Sequence, residues 1–212
     1  MDADGFRAET DVSRETLARL EIFAETLATW TRRINLIAPG TVGDLWHRHI
    51  LDCWQLWPLR PDGARSWADL GAGGGLPGLV IAAVAAEEAP ALRIALVEAD
   101  TRKAAFLATA ARAMGLVNAE IVPRRIEAAG LPAQDVISAR ALAPLDRLLP
   151  LAKPYTHAGT VLLLPKGETA ISELTAAERD WHISSIKIPS RTNPKATILR
   201  VTTYRQSHAT DR

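Results

Sequence analysis

A single cysteine stands among the 212 residues. That excludes an internal disulfide and any zinc or iron–sulfur site built from several thiolates. It suits a reducing compartment. No apolar run reaches the roughly 18 residues of a membrane span. Met1–Glu9 is mixed and acidic, which excludes a secretory signal there. Excess charge is missing too: 25 Lys and Arg stand against 24 Asp and Glu. A protein basic throughout is thereby excluded, whereas a local basic face is not. There is no internal repeat and no low-complexity tract. What is present is ordinary for a globular chain, 48% hydrophobic and 23% charged. At about 150 residues per domain the length suits one domain, which buries roughly 70% of its unfolded surface. A cytoplasmic protein without membrane contact is expected.

The first dozen residues are polar and read as frayed. From Ser13 the apolar positions Leu17, Leu20, Phe23, Leu27, Trp30 and Ile34 recur at steps of three and four, which predicts a helix. Ser13 and Glu15 suit its first turn. Ala38-Pro39-Gly40 ends it. A second amphipathic segment, Thr41–Trp57, stops at Pro58, and its Trp46, Trp54 and Trp57 read as core. At Ser66 the character changes. Strands are expected at Ser66–Leu70, Arg93–Glu98, Ala119–Pro123, Asp135–Ala139 and Thr160–Pro165. Helices are expected between them at Pro77–Ala86, Thr101–Met114 and Pro144–Ala152. This alternation predicts a mainly parallel sheet covered on both faces. A helix over Glu168–Asp180 and two strands, Trp181–Ile188 and Ala196–Tyr204, would close it with an antiparallel hairpin. Residues 1–60 thus read as a helical extension packed on the core. Residues 61–206 read as the α/β unit and 207–212 as a tail, all in one compact domain. The stretch after Tyr204 reads as disordered.

The most informative segment runs from Asp69 to Gly78, D-L-G-A-G-G-G-L-P-G. A strand feeds a glycine loop, and the loop feeds a helix. Open parallel sheets bind ligands at the carboxyl ends of their strands. Gly73, Gly75 and Gly78 satisfy the dinucleotide pattern G-x-G-x-x-G. That match starts two residues late, and Pro77 interrupts the helix entry. Asp69, Gly71, Gly73 and Gly75 instead fit the acid-x-G-x-G-x-G loop of S-adenosylmethionine enzymes, where an acid beside a cationic sulfonium makes electrostatic sense. Glu98, ending the second strand, is placed to accept hydrogen bonds from ribose hydroxyls in either class. His47 and His49 are two residues apart on a helix and point in different directions, so no metal site is expected. His49 reads as a hydrogen-bonding partner of Asp52.

These residues together resemble the small-subunit rRNA guanine-N7 methyltransferase family known as RsmG or GidB. The loop is similar to the family's D-x-G-x-G-x-G-x-P-G-I/L. Arg48, His49 and Asp52 resemble its R-H-x-x-D, and Trp30 with Asn35-Leu36 its W…N-L. Lys103 to Leu107 resembles K-x-x-F-L. Arg125, Ile126 and Glu127 resemble R-x-E; Ser138, Arg140 and Ala141 resemble S/A-R-A; and Lys166-Gly167 resembles K-G. The likeness holds from about Trp30 to Tyr204. One departure is Cys53, where the family usually carries serine.

The resemblance implies a Rossmann-like class I methyltransferase fold and methyl transfer from S-adenosylmethionine to N7 of one guanine, guanine 527, in 16S rRNA of the small ribosomal subunit. Gly71 and Leu76 would lie along the methionine side of the cofactor, and Ile126 and Glu127 near the adenine. Arg140 would stand at the methyl-transfer position, binding the cofactor carboxylate or a substrate phosphate or guanine edge, as a positioning group rather than a base. Guanine N7 is unprotonated at neutral pH, so no general base is required. Arg48, Arg125, Arg147 and Lys166 are the candidate RNA contacts, as several basic residues fall at strand ends on the cofactor's face. No exposed heptad pattern suggests a coiled-coil partner, and a monomer is expected. Two alternatives remain: a methyltransferase of another substrate on the same fold, and a non-catalytic RNA-binding module. A dehydrogenase is disfavoured, because no hydride-transfer constellation accompanies the loop.

Overall fold

In a computed structural model, which describes residues 1–207, the apolar runs form one seven-stranded sheet. Its strands are β1 (Ser66–Leu70), β2 (Arg93–Val97), β3 (Ala119–Val122), β4 (Gln134–Ser138), β5 (Thr156–Lys166), β6 (Trp181–Pro189) and β7 (Thr197–Gln206). The order is β3-β2-β1-β4-β5-β7-β6; the first five are parallel, and β7 is antiparallel to both neighbours. The chain reverses direction across the sheet at β1, between β2 and β4, where open α/β sheets form their ligand crevice. Strand alternation sorts the core onto two faces. Trp67, Ile94 and Leu96 pack on one face, and Ala68, Leu70, Ala95 and Val97 on the other.

Among the described residues seven helices cover these faces. The first face carries α1 (Ala3–Thr10), α2 (Arg14–Thr31), α3 (Asp52–Trp54), α4 (Gly78–Glu88) and α5 (Thr101–Ala113); the second carries α6 (Leu145–Ala152) and α7 (Ala170–Ala177). Ser13 caps α2 by accepting from Thr16 N–H. Helix α4 is apolar all round, and Gly78 to Ala85 are buried, because it lies between the sheet and α2. Among the described residues no helix is long and apolar enough to cross a membrane.

Four expectations need correction. The first dozen residues are not frayed: Asp2 caps α1, and Phe6 is fully buried against the rings of Trp46 and Trp54. Thr41–Trp57 is not a regular α-helix. A 3-10 turn, Pro39–Asp44, leads into a π-helix, Trp46–Leu51, and then into α3. Strand β5 starts at Thr156, four residues early, where pairing with Gln134 extends it past a bulge. Strand β7 runs to Gln206, held by pairing with Trp181, so the chain stays ordered beyond Tyr204. The rest of the expected tail lies outside the described residues.

Candidate functional site

Two cavities meet at the carboxyl ends of the parallel strands. The first encloses about 460 Å³. Its floor is the glycine loop, Gly71 to Gly74, with Leu76; its walls are Val97, Glu98, Lys103, Arg124, Arg125, Ile126 and Glu127, and its roof includes Leu36. The second encloses about 530 Å³ between the ends of β4 and β5 and the β6–β7 turn, lined by Arg48, Asp52, Lys166, Glu173, Thr192 and Asn193 among others. Arg140, Ala141 and Leu142 border both.

The loop owes its shape to two carboxylates. Glu98 Oε2 accepts from Gly73 N–H at 2.8 Å, and Oε1 from Asp100 N–H at 2.8 Å. A carboxylate offers about four lone-pair sites, so Glu98 keeps acceptors for hydroxyls in the cavity. Asp69 behaves differently. It is 1% exposed and does not face the cavity. Its Oδ2 accepts from Gly78 N–H at 2.9 Å, and Oδ1 from the Ser138 hydroxyl at 2.8 Å. Ser138 Oγ in turn accepts from Trp67 Nε1–H. Asp69 therefore ties the start of α4 to the ends of β1 and β4, instead of presenting its charge to a ligand. Burial pushes its pKa up to about 7, against the lowering effect of these bonds. Gly75 is also outside the lining; a Cβ there would sit 2.6 Å from Leu79 Cδ1, so this glycine permits packing. Gly74 is needed for a close approach, as its Cβ would come 3.1 Å from the Leu36 carbonyl oxygen.

Arg140 lies two residues beyond β4 and is followed by Ala141 at φ 53°, a left-handed conformation that non-glycine residues seldom adopt. Its guanidinium lies 3.3 Å from His49 Nδ1 and 3.4 Å from Asp52 Oδ2. The expected His49–Asp52 bond is replaced by this shared hold on Arg140, because the π-helix turns both side chains toward β4. Asp52 Oδ1 also accepts from Thr192 Oγ1 at 2.7 Å and from Gln55 Nε2 at 2.9 Å. Gln55 Oε1 accepts from Arg191 N–H. The β6–β7 turn is thus fastened to the helical prefix and forms a wall of the second cavity.

The candidate RNA contacts divide. Arg48 and Arg125 are exposed, one on each cavity's rim. Arg147 is exposed on α6 and lines neither cavity. Lys166 is the poorest fit to that role: its side chain is 9% exposed, and it donates to Ala143 O at 2.7 Å and to Glu173 at 2.9 Å. Burial raises the Glu173 pKa, but the bonds from Lys166 and Thr169 bring it below its ordinary value. Among the described residues no cluster of ligating side chains can hold a metal. Leu36, Lys103 and Arg124 line the first cavity although sequence spacing did not single them out as lining residues. Lys103 and Leu36 lay inside recognisable motifs; nothing in the sequence marked Thr192.

The sheet order, the glycine loop and the cavity above it define a class I methyltransferase. A methyltransferase from Geobacter sulfurreducens superposes with a TM-score of 0.57 at 13% identity, covering 85% of this chain and 87% of that one. The ribosomal protein L11 methylase of Lactobacillus delbrueckii subsp. bulgaricus gives 0.56 at 15% identity, with 71% and 75% covered. These likenesses concern the fold. Residues 16–198 match the family model GidB, rRNA small subunit methyltransferase G. The chain is 48% identical over 191 residues to ribosomal RNA small subunit methyltransferase G of Cereibacter sphaeroides, covering 90% of this chain and 91% of that protein. It is 44% identical over 201 residues to the protein of that name from Paramagnetospirillum magneticum, with 95% of each covered. The chain belongs to the rRNA small subunit methyltransferase G family.

Proposed function

We propose that this enzyme methylates N7 of one guanine in 16S rRNA, using S-adenosylmethionine held in the first cavity. The observation that carries this reading is the pair of cavities sharing Arg140, Ala141 and Leu142. One volume suits a cofactor and the adjoining one a base. The lining of the first fits S-adenosylmethionine: Glu98 for the ribose hydroxyls, apolar Val97 and Ile126 beside the adenine, and the glycine-loop backbone for the amino-acid end. The cofactor supplies a methyl group bonded to a sulfonium. The protein's task is to hold the guanine in line with it.

The acids of the second cavity support N7 as the nucleophile. Asp52 is held by Arg140, Thr192 and Gln55, and Glu173 by Lys166, Thr169 and Leu145 N–H. Neither is placed as a free base. N7 attacks through its own lone pair, so no proton has to leave. Arg48 and Arg140 match the anionic backbone of an RNA substrate. A monomer acting in the cytoplasm belongs to this reading.

Incubation of the protein with methyl-labelled S-adenosylmethionine and small ribosomal subunits lacking the modification tests it. Label is expected at N7 of a single guanine. Label on another atom, or cofactor binding without transfer to any RNA, refutes it.

A further inference from the structure

Arg140 borders both cavities, yet an arginine at a strand end has several rotamers to choose from. Its surroundings select one. The guanidinium carries only donors, and both of its terminal nitrogens lie 3.3 Å from His49 Nδ1. Nδ1 must then be the acceptor. The ring's proton sits on Nε2, which is 2.8 Å from Thr41 Oγ1. The Thr41 hydroxyl donates onward to Ala38 O at 2.7 Å. Every bond in this chain points one way, from Arg140 through His49 and Thr41 to a backbone carbonyl. The contact on the other side of the guanidinium is Asp52 Oδ2.

We propose that His49 is a positioning residue for Arg140: protonated on Nε2 alone, it gives the guanidinium an acceptor that, with Asp52, fixes it where the two cavities meet. The proposal rests on the methyl-transfer reading of Arg140. A doubly protonated ring would place an N–H and a positive charge against the guanidinium. The charged groups facing the ring are Arg140 from just beyond β4, Asp52 and Arg48 from the same helical segment, and Asp44 from the turn before it. Burial first and Arg140 second bring the imidazole pKa down to about 4, so the ring stays neutral in the working range.

Three substitutions separate positioning from packing. In His49→Asn the amide oxygen takes the place of Nδ1 and keeps an acceptor for Arg140. In His49→Gln the amide reaches the place of Nε2 and leaves Arg140 with Asp52 as its acceptor but none in the place of Nδ1. His49→Ala removes both. With small ribosomal subunits and saturating cofactor, kcat for His49→Asn should stay within about threefold of the parent. It should fall about tenfold or more for His49→Gln and His49→Ala, as expected when a reacting geometry is loosened. Cofactor affinity by calorimetry should hold in all three. Equal losses for Asn and Gln, or no loss for Ala, overturn the proposal. A readout independent of activity accompanies it: nitrogen-15 NMR of the full-length protein should show His49 as the Nε2–H tautomer at neutral pH. A proton on Nδ1 overturns the proposal. A parent protein that shows this tautomer but methylates no RNA would refute the proposed function instead.

Discussion

Gly73 and Gly75 share a left-handed backbone, φ 50° and 76°, but different surroundings, and alanine at each should give different results. Placing a non-glycine residue in this region costs roughly 1–2 kcal/mol. At Gly73 that is the whole cost, because a Cβ there meets nothing nearer than 3.7 Å. At Gly75 the Cβ would lie 2.6 Å from Leu79 Cδ1 and 3.2 Å from Leu107 Cδ2, and both leucines are fully buried. Overpacking a core adds about 1–3 kcal/mol. Gly75→Ala should therefore lose about 2–5 kcal/mol and Gly73→Ala about 1–2 kcal/mol. At roughly 2–4 °C per kcal/mol for a chain this long, the drops in Tm are about 4–20 °C and 2–8 °C. Urea unfolding and calorimetric melting of the two variants measure the difference. Gly73 also lines the cavity and donates to Glu98, so its variant should lose cofactor affinity out of proportion to its stability. Equal destabilisation by the two substitutions would refute the assignment of Gly75 to packing and Gly73 to the ligand loop.

Asp69 gives a pH signature. Its folded pKa, about 7, lies above an unfolded value near 3.8. A raised carboxyl contributes stability that is whole below about pH 4 and is lost as pH rises through 7. Stability of the parent relative to Asp69→Asn should thus fall by a few kcal/mol between pH 4 and pH 8, measured by urea titration of both. A difference that stays constant with pH would sink this account. Cys53 is fully buried, and burial drives its thiol pKa well above the ordinary range. A thiol reagent should find no reactive sulfur in the native protein and one after denaturation; native labelling at a comparable rate contradicts the packing.

The α/β unit was legible because its signals are local. Short apolar runs bounded by glycine and proline forced β1, β2 and β4, and Glu98 stands where a strand-end acid was expected. Asp69 was legible as a residue but not as a role. Spacing cannot say whether a carboxylate turns toward a ligand or inward to Ser138 and Gly78, because that choice depends on which strand lies beside β1. The hold on Arg140 was hidden for a related reason. His49 and Asp52 are three apart, which on an α-helix suggests that they meet each other. The π-helix changes that geometry, and no residue pattern announces a π-helix. Thr192 is 140 positions from Asp52, and only the antiparallel return of β7 brings them together. Lys166 shows the limit of counting charge: it sits in the expected motif, but Glu173, fixed by α7, takes up its charge. The charge balance likewise conceals Arg48 and Arg125 at the rims of two different cavities.

The first helix tests how far the prefix and the site form one unit. Phe6 is fully buried, with its ring 5.5 Å from Trp46 and 6.4 Å from Trp54. Trp46 opens the π-helix that carries His49 and leads directly into Asp52 at the start of α3. On the same helix, Glu9 pairs with Arg191 of the β6–β7 turn at 2.7 Å, and Arg191 also lies over Trp54. Helix α1 therefore braces both structures that frame the second cavity. Truncating a buried phenylalanine costs about 3–5 kcal/mol. Phe6→Ala should lower Tm by about 6–20 °C. It should also reduce kcat at temperatures where the variant is still folded, because the π-helix loses its backing. Phe6→Leu keeps most of the buried volume and should recover most of both losses. If Phe6→Ala melts within about 2 °C of the parent, α1 is not anchored and its link to Arg140 fails. If it melts lower but keeps full kcat, the brace supports the fold alone, and the π-helix holds its own shape without it.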